Sequence, residues 1–256
     1  MKRLKSGRAE VLDRLRSAKR LLLLLDFDGT LSLIVADPKA ARMEPTIERV
    51  LRRLARTKGR KVAVISGRAL RDLRSRVRVP GAILIGNHGL ESTDRHVTGH
   101  PEVLRARHLR PLLDILHRKL HVTVGHWPGV RLEHKGWTLS VHYRGLSRER
   151  RLLLERTLSY YRHKASGQPL IWRRGKQVLE VRPDVRWDKG RAAERLYKSV
   201  RADRALVCGD DRTDEDMFRQ LRNKAVTVRV GRGVRSHAQY RIEGPRELAG
   251  LLEELC

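Results

Sequence analysis

Short, uninterrupted runs of apolar residues recur along the chain, and segments with helical periodicity lie between them. The clearest run is five leucines at positions 21–25, similar runs occupy positions 62–65, 82–85 and 205–208, and a further strand is predicted over 225–230. Runs this short and this apolar are typical of strands that are covered on both faces of a parallel sheet. The sequence therefore predicts an α/β fold on a parallel sheet, whose ligands bind beyond the carboxyl ends of the strands.

The pattern changes between residues 101 and 182. A helical segment over 101–120 precedes two predicted strands, and a second over 147–164 precedes two more. Two strands joined by a turn that contains glycine indicate an antiparallel hairpin, so the segment has the order αββαββ. We therefore expect one core domain formed by residues 1–100 and 183–256, with a separate α+β domain inserted into it.

The chain is strongly basic, because 57 Lys and Arg against 29 Asp and Glu give a formal net charge of +28. Arginine supplies 44 of the 57 cations, and the excess is spread along the chain. Such a charge attracts phosphate groups, including those of nucleic acids, but a solvated arginine-rich surface is the alternative explanation. Aromatic residues, which would stack on bases, make up only 4% of the chain. The charge therefore predicts at most weak, nonspecific binding of polyanions.

No apolar run approaches the roughly 20 residues that span a bilayer. Acidic residues follow the basic start of the chain, so we expect no signal peptide. The two cysteines, Cys208 and Cys256, do not form a Cys-x-x-Cys pair, which excludes a disulfide framework and a thiolate zinc site. We expect a cytoplasmic monomer that does not associate with membranes.

Two carboxylates follow the leucine run, in the string Asp26-Phe27-Asp28-Gly29-Thr30. In a continuing strand they would face opposite ways, but at a strand end Gly29 lets the chain turn and both can approach one ligand. Asp-Gly is also a common turn pair, so a purely structural turn is the alternative explanation. The whole string is rare by chance, which favours a chemical role.

A second acidic group follows another predicted strand, between Gly209 and Asp216. Helix capping explains part of it, since Thr213 and Asp216 have the spacing of a capping box. Capping does not account for Asp210 and Asp211, which come directly after the strand. Two acidic strand ends in one sheet indicate a shared hard cation, and carboxylates with water are the ligands that magnesium prefers. We therefore predict a Mg²⁺ site.

Hydroxyl and basic groups complete the pattern: Ser66 and Arg68 in Ser-Gly-Arg, and Lys189 in Asp-Lys-Gly. A serine hydroxyl and a lysine ammonium beside an acidic metal site are groups that bind phosphoryl oxygens. Each signal is weak alone, since Ser-Gly is also a loop dipeptide and basic residues are abundant. Taken with the two acidic strand ends, they indicate phosphate chemistry.

The order of these motifs resembles that of the haloacid dehalogenase (HAD) superfamily of phosphotransferases. The superfamily's four motifs correspond to Asp26-x-Asp28-Gly29-Thr30, Ser66, Lys189 and Gly209-Asp210-x-x-x-Asp214. Further strings are similar to those of trehalose-6-phosphate phosphatases: Ser66-Gly67-Arg68, Gly86-Asn87-His88-Gly89-Leu90-Glu91, Lys135 with His142-Tyr143-Arg144, and Gly175-Lys176-x-x-x-Glu180. The resemblance implies a HAD-like, Rossmannoid core domain with residues 101–182 as its cap.

The resemblance also implies a Mg²⁺-dependent phosphatase that hydrolyses trehalose 6-phosphate through an aspartyl-phosphate. Asp26 would be the nucleophile, and Asp28 would protonate the departing sugar and then take a proton from water. Ser66 and Lys189 would bind the transferring oxygens. The metal ligands implied are Asp26, the backbone carbonyl of Asp28, and Asp210, with Asp214 supporting them.

Sugar recognition is implied to belong to the cap, which would close over the site. The contacts implied are Arg68, His88 and Glu91 of the core domain with Lys135, His142, Arg144, Lys176 and Glu180 of the cap. Arg144 could equally pair with a carboxylate of the cap itself. Two alternatives stay open: a HAD phosphatase for sucrose phosphate or a glucosyl- or mannosyl-3-phosphoglycerate, and a basic nucleic-acid-binding protein on the same scaffold.

Overall fold

The structure is a computed structural model, and it describes residues 1–35, 37–175, 177–233 and 235–256. The chain forms two compact units, Met1–Gly99 with Trp187–Cys256, and His100–Arg186. The second unit begins one residue before the predicted inserted segment, 101–182, and ends four residues after it.

Twelve strands and ten α-helices, numbered in chain order, lie within the described residues. The strands are β1 (Lys2–Arg3), β2 (Leu21–Leu25), β3 (Arg60–Ile65), β4 (Ile83–Gly86), β5 (Glu91–Ser92), β6 (Arg131–His134), β7 (Leu139–His142), β8 (Leu170–Gly175), β9 (Val178–Pro183), β10 (Arg204–Gly209), β11 (Ala225–Val230) and β12 (Tyr240–Ile242). The helices are α1 (Arg8–Arg16), α2 (Pro45–Arg56), α3 (Leu70–Arg76), α4 (Arg95–Thr98), α5 (Pro101–His108), α6 (Arg110–Val124), α7 (Arg148–Lys164), α8 (Lys189–Ser199), α9 (Glu215–Leu221) and α10 (Pro245–Glu253).

The first unit is built on an eight-stranded sheet in the order β1-β12-β11-β10-β2-β3-β4-β5. All neighbours are parallel except β4 and β5. The five leucines of β2 are all buried near the middle of the sheet, between β10 and β3. This confirms the α/β class and the parallel sheet predicted from the apolar runs.

Helix α2 shows why the segments between strands form helices. Pro45 lies in its first turn, and the Glu44 carboxylate accepts a hydrogen bond from the backbone N–H of Ile47 at 2.9 Å. Both features favour a helix start. The buried residues recur at helical spacing and join the core around the sheet; they are Ile47, Val50, Leu51 and Leu54. The same four residues predict this helix from the sequence.

Three short strands at or next to the edges of this sheet, namely β1, β5 and β12, escaped prediction. They have only two or three residues each, and β1 consists of Lys2 and Arg3 alone. Backbone pairing holds them, as in the register of Lys2 with Tyr240 and Arg3 with Arg241. Strands this short carry no detectable alternation of apolar and polar residues, so no periodicity marks them.

The second unit has its own antiparallel sheet, in the order β6-β7-β9-β8. One face of this sheet packs with the helices α6 and α7 in a separate core, and its buried residues are Leu139, Val141, Leu179 and Val181. Side chains alternate along a strand, so the residues between them lie on the other face.

The helix predicted over 101–120 is two helices in the structure. α5 ends at His108 and α6 begins at Arg110, with Leu109 between them. Pro111 lies in the first turn of α6, where its missing N–H costs least, and its ring would clash within a continuous helix. The prediction of a single helix is therefore wrong at this position.

Across the described ranges, every helix is too short or too polar to cross a lipid bilayer.

Candidate active site

The acidic strand ends of β2 and β10 meet at one edge of the first unit's sheet. The two strands are adjacent, with Leu25 paired to Cys208, and the backbone N–H of Asp26 donates to the Cys208 carbonyl at 2.9 Å. Because the strands are parallel, Asp26 and Asp210 leave the sheet at the same edge.

Gly29 brings the turn after β2 against the end of β10. Its φ of +78° lies in the left-handed region that favours glycine. A Cβ atom built on Gly29 would overlap the Asp210 carboxylate. The turn and the carboxylate are therefore packed together without space for a side chain, and the two acidic strings converge in space.

The ammonium of Lys189, the first residue of α8, lies between two carboxylates. Its Nζ donates to Asp26 Oδ1 at 2.7 Å and to Asp214 Oδ1 at 2.8 Å. All three residues are buried, with 4% exposure or less. The structure thus joins residues 26, 189 and 214 in one ionic cluster.

Asp214 also fixes the turn that follows β10. Its Oδ2 accepts the backbone N–H groups of Asp210 and Asp211, both at 3.0 Å. Helix α9 has Asp214 as its N-cap residue, so the expected capping box of Thr213 with Asp216 does not begin this helix. The carboxylate that the sequence analysis assigned to metal support is held by the chain on both of its oxygens.

The carboxylates outnumber the cation that they share. Burial, then the nearby Asp214 carboxylate, raises the pKa of Asp26 well above its ordinary value, although Lys189 opposes the change. Burial and the carboxylates of Asp214 and Asp211 raise the pKa of Asp210 to about 7. Burial alone would lower the pKa of Lys189, but Asp214 and Asp26 outweigh it and raise that pKa. The raised pKa favours the charged form of Lys189, which lies beside more carboxylates than one ammonium can pair with.

The carboxylates of Asp26, Asp210 and Asp214 also meet a geometric requirement for a metal. Each offers an oxygen, and these atoms all lie within 4.8 Å of one another. Asp210 Oδ1 is buried and has no hydrogen-bond partner among the residues that the structure describes. An all-oxygen donor set with excess negative charge fits a hard divalent cation such as Mg²⁺.

The Asp28 carboxylate pairs with Arg68. Arg68 Nε donates to Asp28 Oδ2 at 2.7 Å, and Nη2 donates to Asp28 Oδ1 at 2.6 Å. A third nitrogen, Nη1, donates to Asp72 Oδ2 at 2.7 Å. The family resemblance implies a sugar ligand at Arg68, whereas in the structure its guanidinium is engaged with two carboxylates.

Ser66, His88 and Glu91 lie on the neighbouring strand ends. Ser66 is buried, and its hydroxyl accepts the backbone N–H of Arg68 at 3.2 Å. The His88 backbone has a φ of +56° and donates its N–H to the Ser66 carbonyl at 3.1 Å. Glu91 Oε2 accepts the backbone N–H of Leu70, the first residue of α3, at 2.7 Å. At least one oxygen of Glu91 therefore has a structural partner at the start of this helix.

In the second unit, three predicted sugar ligands, Lys135, His142 and Glu180, belong to one face of the sheet. Glu180 pairs across the sheet with Ser140, two residues before His142, and Lys135 pairs through its backbone with Thr138 at 2.9 Å. This face is opposite the buried leucines and valines, so we name it the polar sheet face. Its strand residues are Arg131, Glu133, Ser140, His142, Val178, Glu180, Arg182, Ile171 and Arg173, and Lys135 continues it beyond β6.

Glu133 on this polar sheet face escaped the sequence analysis. Its Oε2 lies 3.0 Å from His142 Nε2 and 3.9 Å from Lys135 Nζ. The hydrogen bond from His142 is the main cause that lowers the pKa of Glu133. The alternation of Arg131, Glu133 and Lys135 along β6 was the available signal. Of the remaining predictions, Arg144 lies exposed in the turn after β7, and Lys176 lies outside the described residues.

Comparison with known proteins identifies similar sequences and similar folds. A sequence model of the trehalose-phosphatase family matches residues 24–246. The chain is 36% identical over 219 residues to a trehalose-phosphate phosphatase of Mycobacterium leprae, which covers 82% of this chain and 50% of that protein. The chain therefore spans about half the length of this curated relative.

Solved structures show the same fold. The C-terminal domain of a C. albicans trehalose-6-phosphate phosphatase superimposes with a TM-score of 0.74 at 24% identity, over 97% of this chain and 96% of that chain. An Aspergillus fumigatus trehalose-6-phosphate phosphatase superimposes with a TM-score of 0.66 at 26% identity, over the same shares, 97% and 96%.

Removal of the Lys189 ammonium is expected to destabilise the protein strongly. Lys189→Met leaves the buried Asp26 and Asp214 without their cation, so the free energy of unfolding should fall by about 3–5 kcal/mol. Urea unfolding in a buffer with chelator measures the change. Lys198→Met is the matched control, because Lys198 lies in the same helix and pairs with Glu194 at the surface. Its expected cost is about 0–1 kcal/mol, and equal losses in the two variants would contradict the prediction.

Proposed function

The chain belongs to the trehalose-phosphatase family, whose model matches most of its length, and we propose that it hydrolyses trehalose 6-phosphate to trehalose and phosphate. The single observation that carries this proposal is the convergence of Asp26, Asp210 and Asp214 around the Lys189 ammonium. A phosphate monoester resists hydrolysis because its anionic oxygens repel a nucleophile, so a catalyst needs cations beside an acceptor for phosphorus.

Asp26 is the nucleophile in this proposal. Its oxygen attacks phosphorus, the bond from phosphorus to the sugar oxygen breaks, and an aspartyl-phosphate forms that water then hydrolyses. Lys189 donates to one oxygen of Asp26 at 2.7 Å, which supports a fixed orientation of the carboxylate during the attack. We assign the buried Ser66 hydroxyl and Lys189 to the binding of the transferring phosphoryl oxygens.

Asp28 transfers the proton in this proposal. Its side chain is 44% exposed, in contrast to the buried Asp26, so it can meet both a leaving sugar oxygen and an incoming water. As an acid it gives its proton to the sugar oxygen, and as a base it recovers a proton from the water that attacks the aspartyl-phosphate.

The proposed cofactor is Mg²⁺, held by Asp26, the Asp28 backbone carbonyl and Asp210, with Asp214 supporting this group. When bound, Mg²⁺ neutralises the carboxylates and draws negative charge from the phosphoryl oxygens. The excess of carboxylates over the single Lys189 ammonium, and the unpartnered Oδ1 of Asp210 within the described chain, support this assignment.

We assign sugar recognition to the polar sheet face. Carboxylates and cations fixed on a sheet can hydrogen-bond several sugar hydroxyls at once, and a carboxylate can accept from two. Glu133 joins the ligands predicted from the sequence because it contacts His142 and lies near Lys135. The full proposed set is Glu133, Lys135, His142, Arg144, Lys176 and Glu180, with His88 and Glu91 from the first unit. Arg68, the other sugar ligand implied by the resemblance, contacts Asp28 and Asp72 instead.

The net charge of +28 supports weak, nonspecific binding of polyanions as a further part of the proposal. The monomeric state and the cytoplasmic location stay predictions from the sequence.

Asp26→Asn is expected to abolish turnover because an amide cannot act as the nucleophile. Phosphate release from trehalose 6-phosphate should fall by at least about a thousandfold, while the circular dichroism spectrum stays that of the wild type. Asp203→Asn is the control, since Asp203 is an aspartate before β10 that accepts backbone N–H groups of Lys19 and Arg20. Substantial activity in Asp26→Asn would exclude Asp26 as the nucleophile.

Metal removal is expected to silence the enzyme. Phosphate release should stop in excess EDTA and return when Mg²⁺ is added beyond the chelator, because the carboxylates otherwise repel the phosphate. Addition of Na⁺ at equal ionic strength controls for screening. Full activity in chelator would contradict the assignment of a metal.

Glu180→Ala is expected to impair sugar recognition selectively. Loss of charge-assisted hydrogen bonds should lower kcat/KM for trehalose 6-phosphate by about 10- to 100-fold. The value for p-nitrophenyl phosphate, which has no sugar, should change by less than about twofold. Glu155→Ala on α7 is the control, because Glu155 pairs with Arg151 and Arg174 away from the polar sheet face. Equal losses for both substrates would remove Glu180 from sugar binding.

A panel of sugar phosphates tests the choice of substrate. Trehalose 6-phosphate is expected to give the highest kcat/KM by phosphate release. A higher value for sucrose phosphate or for a glucosyl- or mannosyl-3-phosphoglycerate would replace it as the substrate.

A further inference from the structure

A row of alternating charges runs from Asp28 into the helix α3. Arg68 grips the Asp28 carboxylate with two nitrogens, at 2.7 Å and 2.6 Å, and donates a third bond to Asp72 at 2.7 Å. Asp72 in turn accepts from Arg76 Nε at 2.9 Å and from Arg76 Nη2 at 2.8 Å. The order is therefore Asp28, Arg68, Asp72, Arg76, with opposite charges in contact at every step.

The two guanidinium groups of this row are almost enclosed. The side chains of Arg68 and Arg76 are 11% and 9% exposed, whereas those of Asp28 and Asp72 are 44% and 38% exposed. Arg68 also donates to the Pro38 carbonyl at 2.8 Å. Its guanidinium lies over the Phe27 ring, 5.4 Å from the ring centroid. Enclosed groups with this many partners exchange rotamers slowly, so Arg68 presents a nearly fixed surface to Asp28.

Asp72 and Arg76 both belong to the helix α3. Asp72 lies in its first turn, four residues before Arg76, where a carboxylate is favoured by the helix dipole. Arg76 is fixed from its other side by the carbonyls of Ala41 at 2.6 Å and Lys39 at 3.1 Å. Burial would raise the pKa of Asp72, but its hydrogen bonds with Arg76 and Arg68 outweigh burial and lower it. Asp72 is thus an anion with a fixed position.

We propose that Asp72 is a positioning residue for the reaction: it fixes Arg68, which holds the Asp28 carboxylate where the base step needs it. This inference rests on the proposed function, because it takes Asp28 as the group that accepts the proton of water. A carboxylate whose two oxygens both accept from one guanidinium presents its remaining lone pairs in a defined direction. Proton transfer falls steeply when the base is misplaced by even about 1 Å.

The step concerned is hydrolysis of the aspartyl-phosphate. Water attacks phosphorus, the bond from phosphorus to the Asp26 oxygen breaks, and Asp28 accepts the proton that the water loses. Asp72→Asn leaves one neutral acceptor oxygen for the two guanidinium groups that the Asp72 carboxylate now serves, so the hydrogen bond to Arg68 Nη1 weakens and Arg68 holds Asp28 less firmly. We expect the second step to slow while the first step, with a leaving group that needs no proton, is preserved.

Pre-steady-state kinetics with p-nitrophenyl phosphate test this directly. Nitrophenolate is such a leaving group, so slow hydrolysis of the aspartyl-phosphate appears as a rapid burst of nitrophenolate followed by slow turnover. For Asp72→Asn we expect kcat to fall by about tenfold, with a burst near one nitrophenolate per enzyme molecule. A variant that is only partly folded would release nitrophenolate in proportion to its folded fraction and would show no new burst.

Matched variants make the test specific. Glu48→Gln removes the same kind of i,i+4 contact, to Arg52 on α2, and should keep the kcat and the kinetic profile of the wild type. Asp72→Glu keeps the charge and should restore kcat to within about threefold of the wild type. If Asp72→Asn does not fold, Arg76→Lys loosens Asp72 with the charge retained, and a burst with about threefold lower kcat is expected there.

The outcomes separate the two proposals. A wild-type protein that releases no phosphate from either trehalose 6-phosphate or p-nitrophenyl phosphate overturns the proposed function itself. If the wild type is active, an Asp72→Asn variant with unchanged kcat, or with lower kcat and no burst, overturns only the positioning role of Asp72.

Discussion

The buried ammonium of Lys189 is the interaction on which the site depends. It joins the end of β2, the start of α8 and the turn before α9, whose residues 26, 189 and 214 are far apart in the chain. Burying such a cluster costs desolvation energy, and apolar replacements of ion pairs are often as stable. The cluster is therefore better explained by chemistry than by stability. Its surplus of carboxylates over ammonium groups supports the Mg²⁺ ion proposed above.

Much of the fold could be predicted from the sequence because the informative residues are local. The apolar run of β2 marks a buried parallel strand, and the spacing of Ile47, Val50, Leu51 and Leu54 marks α2. The edge strand β1 could not be found, because two basic residues form it only through pairing with β12. The break before α6 was missed although Pro111 signals it.

The candidate site, like the fold, could be predicted from the sequence only in part. The strand-end carboxylates stand out as residue types at fixed spacing, so the sequence could bring Asp26 and Asp210 to one edge. The partners of Arg68 depend on where the folded chain places the start of α3. No spacing in the sequence indicates its contact with Asp28, 40 residues away. Glu91 similarly binds the backbone of Leu70, which only the folded chain shows. Glu133, in contrast, could have been predicted from the alternation along β6.

Part of the arginine excess has a structural use that charge counting cannot reveal. Guanidinium groups donate to backbone carbonyls at loops and element ends, as Arg60 does to Ala18 and Arg229 to Asp210. A planar guanidinium offers five donors in a fixed geometry, against the three donors of a lysine ammonium, so it suits sites with several carbonyl acceptors. Further examples are Arg16 to Glu254, Arg42 to Lys39 and Ala41, Arg110 to Gly136, and Arg195 to His96.

Side chains alternate between the two faces of the second unit's sheet, so the two faces are under different constraints. Residues such as Leu139 and Val181 face the helices and must preserve packing, while their immediate neighbours Ser140 and Glu180 do not share that core. Under the proposed role of the polar sheet face in sugar binding, a mutation at one of these neighbours alters which molecule is recognised without loosening the scaffold. Such a surface can diversify among related enzymes, and a designer could rewrite its preferences by changing alternate positions only.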